Sequence, residues 1–369
     1  MTARVFRARQ LPDHGPRSAW TALLPPRIPK PELDRTITVD VAVIGAGFAG
    51  LATAVRLAQL DPQLSVAVID ADYVGNGASG RNSGFLIDLP HDISTSDFAG
   101  DALAKSRNDI VVARSAIQLY AGLAAGHDWA KSVFDPCGKY SVAMTKGGSS
   151  HLAEYSTKLN ALGEPHLVLN AAEIADVTGT RSFKSGLFTP GAALIQPAAL
   201  VRAVADQFQE PVRVFEQTPA LSIESSTSGC KIITIKGQIN AARVVLAVNG
   251  HATSFGIGQR ELLHVFTYAS LSEPFEPGAL GGARKWGATP ASPMGTTVRR
   301  VDGPAGDRIL IRSRYTHNPA ITASSGVIRS AGNLHDRKFA DRFPDLSHLK
   351  MQYRWGGAMA LTWNTVPLF

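Results

Sequence analysis

The sequence predicts an α/β protein with two parts: a discontinuous, doubly wound domain and a second domain built on a mostly antiparallel sheet. Three observations carry this reading. "TVDVAVIG" is a short apolar run followed by a glycine-rich turn and then apolar residues at helical spacing, the opening of a βαβ unit. Much later, "ARVVLAVNG" returns to the same near-continuous apolar pattern, as a strand buried on both faces does. From Leu262 onward the pattern changes to alternating runs such as "HVFTYASL" and "RILIRSRY", which suit an antiparallel sheet covered on one face.

Taken in order, residues 1–36 read as an arm, because "LLPPRIPKPELD" favours extended, proline-rich backbone. The first strand holds Val41, Ala42, Val43 and Ile44, and "AGFAGLATAVRLAQLDP" is a helix that stops at Asp61-Pro62. "LSVAVID" is the second buried strand. A long helical stretch runs from about Asp97 to Lys131, followed by the strand "GKYSVAMT" and the helix "HLAEYSTKLNALG". Pro197 opens a further helix from its first turn. "RVFEQTPALSIES", "KIITIKG" and "ARVVLAVNG" then read as three strands. No internal repeat or low-complexity tract interrupts the chain.

The bulk numbers narrow the function classes. With 369 residues and 44% hydrophobic content, the chain can bury the cores of two domains. Its net charge of +7 comes from scattered Lys and Arg with no basic stripe, so a nucleic-acid partner is not expected. Cys137 and Cys230 form neither a disulfide framework nor a metal-binding spacing, and no metal site is expected. The longest uncharged apolar stretch, Val41 to Val55, is shorter than the about 20 residues a membrane-spanning helix needs. No secretory signal opens the chain, so a cytoplasmic location is expected.

The chemistry starts at "GAGFAG". Gly45, Gly47 and Gly50 have the GxGxxG spacing between a strand and a helix: one glycine for the tight turn, one to admit a pyrophosphate, one for close helix–strand packing. Asp70 ends the next strand twenty residues beyond Gly50, where a carboxylate can accept hydrogen bonds from a ribose diol. This predicts a Rossmann-type dinucleotide site, and the motif alone leaves NAD and FAD both open. "GASGRNSG", residues 77–84, follows with pliable residues around Arg81 and Asn82, a loop suited to wrap a phosphate-bearing cofactor.

At this loop the chain resembles the FAD-dependent D-amino-acid oxidase superfamily, in its branch with glycine oxidase, sarcosine oxidase and gamma-glutamylputrescine oxidase. "VDVAVIGAGFAGLATAVRLAQ", "GASGRNSG", "GAALIQPAALVRAVA", "RVVLAVNGH" and "YRWGGAMALTWNTVPLF" fall in the family's order, covering about Thr38 to Phe369. The resemblance implies non-covalent FAD, since neither cysteine lies in a matching stretch. It adds Phe48, Ala49, Ala71, Ala78, Ser79, Gly80, Arg81, Asn82, Ala220, Asn249 and Gly250 to the cofactor contacts. It also implies oxidation of the C–N bond of an amine or amino acid by hydride transfer to the flavin, giving an imine that water hydrolyses. Oxygen or another acceptor would take the electrons, because no second GxGxxG and no redox CxxC is present. The implied division is an arm (1–36), an FAD-binding domain (37–96, 196–253 and 355–369) and a substrate domain (97–195 and 254–354).

Catalytic residues are harder to read. A substrate carboxylate wants an arginine, and Arg312 and Arg314 lie in the strand expected in the substrate sheet, with Tyr268 and His264 as candidate pocket residues. His91 and His251 are candidates for the flavin's surroundings, and Trp355 reads as core. In relatives a strand-to-helix segment follows the stretch matching "WGGAMALTWNTVPLF", so a truncated flavoprotein, or a flavin-binding subunit completed by a partner, is the alternative expectation. An NAD-dependent dehydrogenase is a further one, disfavoured by the "GASGRNSG" loop.

Overall fold

The computed structural model describes residues 4–90, 102–127, 129–292 and 294–364. A seven-stranded sheet has four parallel strands, Gln238–Leu246, Thr36–Ile44, Val66–Ile69 and Val212–Phe215, in that spatial order, the last forming one edge. Their apolar runs are continuous because both faces are covered. Val41 and Val43 pack with helices Phe48–Leu60 and Pro197–Gln207, while Ala42 and Ile44 join Ile223, Ile232 and Ile239 on the other side. The doubly wound reading holds, and the antiparallel strands Ser222–Ser226 and Gly229–Ile233 extend the sheet on the opposite side.

An eight-stranded sheet forms the second layer. Its order is Met351–Thr362, Leu262–Ser272, Arg308–His317, Thr297–Val301, Trp286–Pro290, Lys139–Ala143, Ser185–Thr189 and Leu167–Leu169. Every neighbouring pair is antiparallel except Trp286–Pro290 with Lys139–Ala143. The two faces have different neighbours. Ala269, Leu271, Leu310 and Trp355 pack on Trp20 and Ala198 of the nucleotide-binding side, whereas Phe266 and Tyr268 pack under helix Ser325–Arg342 through Ile328 and Ala331.

Several elements depart from the sequence reading. The arm is not wholly irregular: Arg4–Arg7 adds an antiparallel edge strand against Ser222–Ser226, and Ala19–Ala22 is one helical turn that buries Trp20. "RVFEQTPALSIES" is two strands, split where Gln217 takes φ +49°. Helix Ser325–Arg342 carries no clear apolar period in the sequence, because its buried stripe is Ile328, Ala331, Gly332, His335 and Phe339 amid polar and charged residues. The long helix is Ala102–Ala124: residues 97–101 of its expected span lie outside the described residues, and at the other end it stops at a turn before the separate short helix Ala130–Val133. Residues 355–362, grouped by sequence with the cofactor-binding segments, hydrogen-bond into the eight-stranded sheet.

Candidate functional site

The glycine turn is built as its spacing requires. Gly45 has φ +106°, and a Cβ there would stand 2.4 Å from the Ala247 carbonyl oxygen. At Gly50 a Cβ would fall 1.8 Å from the Gly45 oxygen, so this glycine lets the helix lie on the strand. Gly47 is the N-cap, and a Cβ on it would come within 2.7 Å of Ser79 Oγ, which accepts the Phe48 amide at 2.9 Å. The "GASGRNSG" loop thus caps the helix start directly.

Asp70 holds the turn from the second strand. Its Oδ2 accepts the Ala46 amide at 2.8 Å and its Oδ1 accepts the Asp72 amide at 3.0 Å. Burial still raises its carboxyl to about 6, against those two bonds, with Asp72 and Glu216 adding to the rise.

Around these residues lies an open cleft. Gly45, Gly47, Asp70, Ala71, Ala78, Ser79, Ala220, Asn249 and Gly250 all line it. The remaining expected contacts do not. Phe48 packs edge-on against Tyr120, Ala49 is exposed on its helix, and Gly50 and Gly80 are buried where a Cβ would strike backbone. Asn82 folds back to accept the Gly84 amide and donate to the Ser79 carbonyl.

Arg81 is buried, but its guanidinium turns away from the cleft. Nε donates to the Gly356 carbonyl at 2.6 Å, and the terminal nitrogens donate to Pro16 at 2.6 Å and Asn76 at 3.4 Å. Burial lowers its pKa to about 10. It ties the loop to both the arm and the eight-stranded sheet.

Histidines flank the cleft. His251 lines it and is held down to about 4, by burial first and then by the nearby His14 and His264. His14, in the arm, also lines it. His264 does not: its Nε2 lies 3.0 Å from the Gly250 carbonyl and 3.2 Å from Thr253 Oγ1, tethering the turn that carries Asn249 and Gly250. His91 lies outside the described residues.

The other candidates separate by sheet face. Arg312 pairs across strands with Ala269 and Thr297, so it projects to the nucleotide-binding side. Its guanidinium sits 4.7 Å over the Tyr315 ring, and burial lowers its pKa. Among the described residues it has no carboxylate partner. Tyr268 lies on the opposite face, fully buried, with its hydroxyl 2.6 Å from Thr316 Oγ1: a core residue. Arg314 is the extra residue of a bulge beside Thr267 and Tyr268, with φ +65°, and donates to Ser330 Oγ on the covering helix. The period-two alternation that makes 312 and 314 look equivalent is broken by that bulge.

The same face as Arg312 carries polar residues that sequence reading missed. Thr297, Thr289 and Ser141 follow across neighbouring strands, and the buried Lys139 Nζ donates to Ser141 at 3.0 Å and Thr289 at 3.3 Å. Burial lowers the Lys139 amine to about 8. "GKYSV", "GATP" and "GTTVRR" placed these side chains by strand parity, a signal readable only once the partner strands are known.

Comparison with known proteins agrees with this construction. A family model described as FAD dependent oxidoreductase matches residues 40–369. Gamma-glutamylputrescine oxidoreductase of Escherichia coli is 26% identical over 356 residues, covering 91% of this chain and 77% of that protein. Sarcosine oxidase subunit beta of Rhodobacter capsulatus is 23% identical, covering 89% of this chain and 76% of its own. Among solved structures, glycine oxidase from Geobacillus kaustophilus superposes with a TM-score of 0.71 at 21% identity, over 89% of this chain and 85% of that one. With the glycine turn, the acid at the second strand end and the open cleft between them in place, the chain belongs to the FAD dependent oxidoreductase family that also contains the D-amino-acid oxidases.

Proposed function

We propose that this FAD-dependent enzyme oxidises the C–N bond of a carboxylate-bearing amine or amino acid, held on the face of the eight-stranded sheet that carries Arg312. The observation that supports it most is Arg312 itself. A half-buried guanidinium that has Tyr315, through its ring and a hydrogen bond, and no carboxylate partner among the described residues is left with unpaired charge, and a substrate carboxylate binding it through two parallel hydrogen bonds would offset that cost. The names of the relatives, which act on glycine, sarcosine and gamma-glutamylputrescine, support the same substrate class.

FAD, when bound, supplies the chemistry by accepting a hydride from the carbon beside the nitrogen, leaving an imine that water hydrolyses. The protein's residues bind and orient. Gly45 and Gly47 admit the pyrophosphate, Asp70 takes the ribose, and Arg312 with Thr297 and Thr289 fixes the substrate. Neither cysteine lines the cleft, which supports non-covalent binding of FAD. The nucleotide-binding strands form one domain and the eight-stranded sheet supplies the substrate domain.

The test is product chemistry. Incubation with amino acids and carboxylated amines plus an electron acceptor should yield an aldehyde or keto acid, trapped as a hydrazone. Carbonyl product from 2-hydroxy acids alone would refute the assignment. A second reading, a flavin-binding subunit of a larger assembly, draws support from the similarity to a sarcosine oxidase subunit. In that case the isolated chain should bind FAD but give no carbonyl product.

A further inference from the structure

The family model begins at residue 40, yet the cleft it implies is walled by residues well before that point. Ala8, Gln10, Leu11, Pro12 and His14 line it opposite the glycine turn. The arm reaches this position through a series of fixed points. Arg4–Arg7 is paired into the edge of the seven-stranded sheet, and the Ala8 and Arg9 amides donate to the carbonyls of Leu221 (2.9 Å) and Ser254 (3.0 Å). Gln10 Nε2 donates to the Ala320 carbonyl at 2.7 Å, on the loop that leads into helix Ser325–Arg342. Beyond the cleft, Arg81 grips the Pro16 carbonyl and Ser18 Oγ donates to Gly80 at 2.8 Å. The segment between these anchors crosses the cleft from the edge of the seven-stranded sheet, past the loop at Ala320, to the glycine-rich loop at Gly80 and Arg81.

What it offers inward is mostly apolar. Leu11 and Pro12 also border the depression next to Ala71, Gln217 and Pro219, beside the end of the strand that carries Asp70. That places them over the half of the cleft where Asp70 would hold a ribose, against the ring attached to it. An apolar wall fits the flat face of an adenine base, and it would keep water from the buried carboxylate of Asp70. His14 lies further along, its ring 3.7 Å from a Cβ built at Gly77.

We propose that residues 8–14 are a strap that forms part of the FAD site: Leu11 and Pro12 cover the adenosine half, and Gln10 latches the strap to the second domain. The strap lies outside the matched family region and is independent of which substrate the enzyme takes. Retention of the cofactor, and hence its dissociation rate, depends on it.

The experiment uses the full chain loaded with FAD, and follows the rise of flavin fluorescence after dilution. Gln10→Ala and the double change Leu11→Gly with Pro12→Gly should each speed dissociation, the double change by about tenfold or more, with association changed far less. Hydrogen exchange of the unaltered protein supplies a readout that needs no variant: FAD should slow exchange in residues 8–14. Unchanged dissociation together with unchanged exchange would overturn the proposal. So would slower dissociation in the double variant with faster arm exchange on adding FAD, since the arm would then compete with the cofactor for the cleft.

Discussion

Arg81 Nε donates to the carbonyl of Gly356 across 2.6 Å, joining the loop that caps the nucleotide-binding helix to a strand of the opposite sheet 275 residues away. In return Trp355 Nε1 donates to the Arg81 carbonyl at 2.9 Å. This pair fixes where the cleft stands relative to the sheet face that carries Arg312. Loss of the guanidinium would leave three carbonyls without their donor, two of them held at short range. Arg81→Ala should therefore destabilise the fold by about 3 kcal/mol and weaken FAD binding as well. Denaturant unfolding with and without FAD separates the two effects. A change in FAD affinity at unaltered stability would mean that Arg81 acts on the cofactor directly.

Two glycines of the turn should fail differently. Gly47→Val puts a branched side chain into the cleft beside Ser79 and should abolish FAD binding in a protein that still folds. Gly50→Ala drives a methyl into the Gly45 carbonyl and should lower stability by more than about 2 kcal/mol. Circular dichroism and flavin retention on gel filtration distinguish the outcomes.

Arg312→Met keeps the length of the side chain and removes its charge. It should raise KM for carboxylated substrates by about 100-fold, the loss expected for a two-bond ion pair of about 3 kcal/mol, while leaving amines without a carboxylate little affected. An equal loss on both substrate types would point to a structural role for the arginine.

Acid should unfold the protein partly through His335. This buried ring accepts from Ser270 through Nδ1 and donates to the Ser313 carbonyl through Nε2, and burial lowers its pKa to about 4. Its folded value lies below the unfolded one, so the unfolded state binds the extra proton between about 4 and 6.5, and stability falls as pH falls through that window. The contribution is about 3 kcal/mol at most. Asp70 acts with the opposite sign, because its folded value near 6 exceeds the unfolded 3.8. Stability measured by denaturant at several pH values should lose about one proton's worth of slope in His335→Gln.

The nucleotide-binding half was legible because its signals are local. Gly45, Gly47, Gly50 and Asp70 stand in one βαβ unit, and the cleft forms around them. Arg81 was legible as a buried residue and illegible as a knot, since its acceptors lie at Pro16 and Gly356, far apart in the chain. Arg312 and Arg314 could not be told apart without the bulge at Thr267 and Tyr268, which no turn residue announces. Tyr268 and His264 sit in the same strand as Ala269, which packs on Trp20 and Ala198, and only pairing shows which face each takes. Leu11 and Pro12 gave no signal at all, because a proline-containing arm reads alike whether it hangs free or crosses a cleft.

Anaerobic reduction of the bound flavin tests the central claim most directly. The purified enzyme, mixed with amines and amino acids in the absence of oxygen, should lose its visible flavin band. The reduction should quicken with rising pH as the substrate ammonium loses its proton. A flavin bleached by a 2-hydroxy acid, and left oxidised by every amine and amino acid tried, would contradict the account.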